Sequence, residues 1–173
     1  MKIKRIWRGA AALLTALLLA CCFGTTIFAY DAVDIGQETS LTVYFGKDGN
    51  GFSNVEFQVY RAAKVSAGAE FTLTGDFAEY PVKVNGLDSS GWRALAQTLD
   101  GYAARDGLNP LRTVETGKDG RAVFDHLDTG LYLVTGSRYR QGRYTYTPEP
   151  FLIALPALDE ADAWVYDTVV SCK

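Results

Sequence analysis

Apolar and polar residues alternate along most of this chain in short runs, the period of a half-buried β-strand. SLTVYF (Ser40 to Phe45) and VEFQVYRA (Val55 to Ala62) concentrate β-branched and aromatic residues, and the segment between them, GKDGNGFSN, is dense in Gly, Asn and Asp. This pattern predicts a strand, a tight polar loop and a second strand. EFTLTGDF is expected to form a third strand, followed later by RAVFDHL, GLYLVTG, RYTYTP, PFLIALP and AWVYDTVVS. Pro148, Pro150 and Pro156 bracket FLIAL and set the ends of that strand.

The period changes once. In DSSGWRALAQTLDGYAARDG the apolar residues Trp92, Leu95, Ala96, Leu99, Tyr102 and Ala103 recur at spacings of three and four, behind the capping residues Asp88, Ser89 and Ser90 and ahead of Gly107. The spacing predicts one amphipathic helix over 90–105, its apolar stripe laid over a sheet edge or closing one end of a sandwich. The expected architecture is all-β: an antiparallel, Ig-like β-sandwich with one inserted helix.

The N-terminus follows a different logic. Lys2, Lys4, Arg5 and Arg8 precede the uncharged run AALLTALLLACCF, and GTTIFA ends in a small residue, which is the layout of a secretory signal over residues 1–29 cleaved after Ala29. The alternative is lipidation, because LLAC ending at Cys21 resembles a bacterial lipobox. Residues 30–39 then form an acidic leader and residues 40–173 the folded module. Without the signal, 144 residues remain with a formal charge of −7. An acidic exported chain has no electrostatic reason to hold nucleic acid. Its one remaining cysteine, Cys172, cannot form an internal disulfide, so packing or another covalent link must hold the module.

Candidate chemistry is sparse. His126, the only histidine, lies between Asp125 and Leu127 at a strand end; the chain has no G-x-S-x-G elbow, and His126 reads as a solvated turn residue. One histidine and one thiol do not build a zinc site. The loop from Asp48 starts like a calcium loop with Asp48 and Asn50, then places Phe52, Ser53 and Val59 where an oxygen ligand, a glycine and a bidentate Glu are needed. Asp159, Glu160 and Asp162 read as a charged loop, since carboxylates adjacent in one loop do not face each other across a substrate. No catalytic residue, metal or cofactor is therefore expected. In RYRQGRYTYTPEPF, Arg138, Tyr139, Arg143, Tyr144 and Tyr146 offer a contact patch for a glycan or peptide. The same residues are equally compatible with one strand whose Tyr144 and Tyr146 share a core-facing side.

The segments SLTVYF, VEFQVYRAA, TGKDGRAVFDHLDTGLYLVTG, YTPEPFLIALP and WVYDTVVSCK together resemble the prealbumin-like modules of Gram-positive surface proteins: pilin subunits and collagen-adhesin B-type domains. The resemblance runs from about Ser40 to Lys173. It implies that the charges of GKDGRAVFDHLDTG mark hairpin turns delivering two core strands. It also implies a place for an internal Lys–Asn amide bond assisted by a buried Glu in a Y-x-L-x-E pattern, chemistry that needs a low dielectric and a protonated carboxyl. Mapped here, that pattern starts at Tyr132 and Val134, the glutamate position falls on Gly136, Phe45 stands near the lysine position with Lys47 already in the loop, and the last strand has no asparagine. The expectation is the fold without the crosslink.

A second implied feature is the lysine through which a sortase joins subunits, in a Y-P-K-N-like context after a W-x-Y-D strand. Lys173 occupies that place, with Ser171 and Cys172 where Tyr and Pro would stand, and the plainer alternative is an ordinary terminal lysine. The implied role is an exported, non-enzymatic structural or adhesive module whose partners are other pilin or surface-protein subunits, a sortase, and host matrix or glycan. The alternative is a secreted or lipid-anchored binding module that uses Tyr139 to Tyr146. The sequence carries no Leu-Pro-x-Thr-Gly motif, apolar tail or basic end, so it is expected to be part of a longer subunit or to be held through a partner or Cys21.

Overall fold

The structure, a computed structural model, describes residues 31–172. The signal segment 1–29, Cys21 and Lys173 lie outside the described residues.

The chain begins with β1 (Thr39–Lys47), which turns at Asp48 and Gly49, both at positive φ, into the short β2 (Asn50–Gly51). Then come β3 (Glu56–Val65), β4 (Phe71–Leu73), α1 (Ser89–Asp106), β5 (Arg112–Glu115), β6 (Arg121–Leu127) and β7 (Gly130–Gly136). A small hairpin of β8 (Tyr139–Gln141) and β9 (Tyr144–Tyr146) precedes β10 (Phe151–Leu155), β11 (Ala157–Leu158), β12 (Trp164–Val165) and β13 (Asp167–Cys172).

Two sheets face each other. One has β1 at its centre, paired with β13, β6 and β2; the other runs β10-β7-β3-β4, with β5 also on β3. The inward side chains alternate along each strand: Leu41, Val43 and Phe45 of β1 and Phe124 of β6 meet Phe57 and Val59 of β3 and Tyr132 and Val134 of β7. All of these are nearly or fully removed from water.

Nearly all pairings are antiparallel, as the sandwich reading requires, but β1 and β13 run parallel from Ser40 opposite Asp167 to Phe45 opposite Cys172. Alternation of apolar residues carries no information on strand direction, so the sequence pattern does not distinguish this pair.

The helix spans one residue more at each end than its spacing predicts. Asp88 caps it by accepting the Gly91 amide at 2.7 Å, and Gly107 ends it at φ +64°. Its placement differs from the expectation. α1 covers the outer face of the β10-β7-β3 sheet, with Leu95, Ala96, Leu99 and Ala103 packed on Tyr60, Ala62 and Leu133. The physical reason is visible in β7, whose residues Gly130 to Val134 are all buried: a strand apolar on both sides needs cover on both sides.

Other boundaries shift for local reasons. EFTLTGDF is a strand only to Leu73; Gly75 at φ +57° starts a 3-10 turn that places Phe77 beneath the helix. Arg138 to Tyr146 is a hairpin rather than one strand, reversing at Gly142 (φ +60°). AWVYDTVVS divides at Tyr166 into β12, paired with β11, and β13. β5 lacks an apolar pattern of its own because only Val114 contributes to the core.

The acidic leader is packed onto the module. Val33 is buried, and its amide donates to Ala67 at 3.0 Å.

Candidate functional site

The W-x-Y-D segment is where the two ends of the described chain meet. Trp164 Nε1 donates to the Asp31 carbonyl, the Tyr166 hydroxyl accepts the Asp34 amide at 2.9 Å, and Asp167 Oδ1 accepts from Ser40 Oγ at 2.7 Å. The Ser40 amide donates to the Tyr166 carbonyl at 2.8 Å. Each side chain of this motif therefore holds residues 31–40, and β13 starts in fixed register beside β1.

β13 then runs with Thr168 buried and Asp167, Val169 and Ser171 exposed. Its last residues, Ser171 and Cys172, form one wall of a cleft of about 590 Å³, opposite Trp92 and Arg93 of α1 and Pro150 and Phe151 at the start of β10. Cys172 is half-buried, and desolvation pushes its thiol up to about 11. At neutral pH it is a thiol and a weak nucleophile. Lys173 is the next residue in the sequence.

The positions mapped for an internal amide bond are packed with rings. Phe45 lies edge-on to Phe52 (centroids 5.2 Å apart) and to Phe57 (5.8 Å). A Cβ at Gly136 would lie 2.6 Å from Phe57 Cε1 and 2.8 Å from Pro148 Cγ, so this position does not admit a side chain without displacing core atoms. Tyr132 is fully buried, donates its hydroxyl to the Asp128 carbonyl at 2.7 Å, and is pushed up to about 12, mainly by desolvation. Among the described residues the buried polar side chains are those of Thr39, Thr116, Thr129 and Thr168, and every lysine is exposed.

The family model for the Gram-positive pilin subunit D1, N-terminal domain, matches residues 25–170. The chain belongs to this family. Among solved structures, the full-length major pilin SpaD of Corynebacterium diphtheriae is similar at 25% identity and TM-score 0.50, covering 83% of this chain and 31% of that one. The fimbrial protein FimP of Actinomyces oris is similar in fold at 23% identity and TM-score 0.50, over 84% of this chain and 31% of that one. The chain thus spans about a third of the length of each of these pilins. No curated protein matches the sequence.

The remaining candidate residues of this pilin D1 domain are scattered. His126 sits at φ +51° where β6 carries one residue more than β1, since Thr39 faces Leu127 while Leu41 faces Phe124. The bulge brings Nδ1 to 2.6 Å from Glu38 Oε2, so His126 is exposed at the end of β6 and has Glu38 as its partner. Its spacing to Glu38 in sequence gave no signal of this pairing. Asp159 accepts the Ala161 and Ala163 amides and so holds its own loop. Among the described residues, no group of three His, Cys, Asp or Glu is placed to hold a metal.

The Tyr/Arg patch divides. Tyr139 and Tyr146 pack on Phe52 at 4.5 and 4.7 Å, while Tyr144, Arg138 and Arg143 are exposed.

Proposed function

We propose that this pilin D1 domain is an exported, non-enzymatic structural module of a pilus, joined to a neighbouring subunit by a sortase through the ε-amine of Lys173. The observation that carries the reading is the registered parallel pair of β13 with β1, which fixes the backbone up to Cys172 beside an open cleft. The half-buried Cys172 thiol, held protonated, does not compete as a nucleophile.

The signal-like residues 1–29 support export to the cell surface. The partners in this reading are other pilin subunits and a sortase. His126 has a carboxylate, Glu38, as its hydrogen-bond partner and not a nucleophile's hydroxyl or thiol, which favours a structural role over catalysis.

The test is a Lys173→Arg variant of the subunit expressed in its own cells, with Lys118→Arg as the control. Detergent-resistant high-mass ladders should vanish with the first substitution and persist with the second. Ladders that survive Lys173→Arg would sink the assignment.

A further inference from the structure

Two hairpin tips meet at one end of the sandwich. The β1–β2 hairpin presents Lys47, Asp48 and Asn50, with its turn residues held at φ +51° and +81°. The β8–β9 hairpin presents Gln141 opposite Tyr144, two positions beyond the Tyr139–Tyr146 pair and on the same side of the ribbon. Phe52, almost fully buried, stacks against Tyr139 and Tyr146 and so locks the second hairpin to the first.

Between the tips lies a cleft of about 330 Å³ lined by these polar residues together with Tyr144 and Tyr146. Tyr144 is 63% exposed and takes part in none of the ring contacts that occupy its two neighbours. Asn50 makes a long 3.4 Å contact to the Asp48 carbonyl, and Lys47 lies 5.7 Å from the Tyr146 ring centre. Among the described residues, the Gln141 amide and the Asp48 carboxylate have no side-chain partner.

A ligand suited to this cleft needs one apolar face for the Tyr144 ring and a rim of hydroxyls for planar amides and a carboxylate. A pyranose has both. Lys47 and Asp48 face the same space with opposite charges, so neither an anionic nor a cationic ring is favoured. We propose that the cleft between these hairpins is a carbohydrate site for a neutral pyranose, stacked on Tyr144 and hydrogen-bonded by Asn50, Gln141 and Asp48. The packing of Tyr139 and Tyr146 on Phe52 fixes the hairpin that carries Tyr144 before binding, which lowers the cost of ordering the site. The site is remote in sequence from Lys173 and does not depend on how subunits are joined.

The test uses the full exported chain labelled with nitrogen-15 and titrated separately with the methyl glycosides of glucose, galactose, mannose and N-acetylglucosamine. At least one should shift the amides of Asn50, Gln141 and Tyr144 in a saturable way. Tyr144→Ala should weaken that binding about tenfold, the loss expected for an aromatic platform, while Tyr144→Phe and Arg143→Ala retain it. Because Tyr144 is exposed, the alanine variant should keep a dispersed native spectrum. The proposal is overturned if no glycoside shifts these amides, if Tyr144→Ala leaves the affinity unchanged, or if a proline-rich peptide shifts them where the sugars do not.

Discussion

His126 Nδ1 and Glu38 Oε2 lie 2.6 Å apart, tying the bulge in β6 to the residue just before β1 across 88 positions of chain. Hydrogen bonding to Glu38, then its charge, raises the His126 pKa above its usual value. A raised folded pKa means that the folded state binds the proton more tightly than the unfolded chain. The stabilisation is therefore complete below the ordinary histidine pKa and is lost as pH rises through the raised one. An NMR titration of His126 should give a pKa above 6.5, and Glu38→Gln should return it towards that value. A titration unchanged by Glu38→Gln would remove the pair as the cause.

The Trp164 clamp on the leader makes a second prediction. Trp164→Phe removes the indole donor to the Asp31 carbonyl, and Tyr166→Phe removes the acceptor of the Asp34 amide. Each lost hydrogen bond is worth ~1 kcal/mol, so the amides of Val33 and Asp34 should exchange about fivefold faster in either variant. Unaltered exchange would mean that Val33 burial alone holds the leader.

These pairings show what the sequence hides. Strand positions such as Leu41, Val43 and Phe45, or Ala122 and Phe124, follow from a period of two and pack inward as that period requires. The helix follows from its period and from Asp88 and Gly107. Partnership does not follow from either. The direction of β13, the bulge at His126 and the leader bonds to Trp164 depend on residues more than eighty positions apart, where no local pattern reaches. The helix cover was half-legible, since GLYLVTG is apolar without alternation, the mark of a strand buried on both faces. Of the candidate residues, Lys173 rests on the family resemblance alone, while the division of the Tyr/Arg segment depends on Phe52, far away in sequence.

Leu99 tests the helix layer. It is fully buried in the cluster between α1 and the outer face of the sheet. Leu99→Ala removes that burial and leaves a cavity, with an expected cost of ~2–5 kcal/mol in denaturant unfolding. A wild-type midpoint would show that α1 is an independent surface element.

The last prediction concerns covalent structure. An internal amide bond needs a buried amine facing an amide, with a carboxyl between them in a low dielectric. Phe45, near where the resemblance puts the lysine, packs its ring on Phe52 and Phe57, and Gly136 leaves no room for a carboxyl beside Phe57 and Pro148. The last strand offers Thr168, Val170 and Cys172 on its inward side, and none of these is an amide. Lysines 47, 64, 83 and 118 are all exposed, outside the low-dielectric surroundings that the bond needs. The purified exported chain should therefore have an intact mass equal to that of its sequence, with no loss of ammonia. A mass lower by one ammonia, with a crosslinked Lys–Asn pair in the digest, would show that the aromatic cluster coexists with a covalent link at another place in the sandwich.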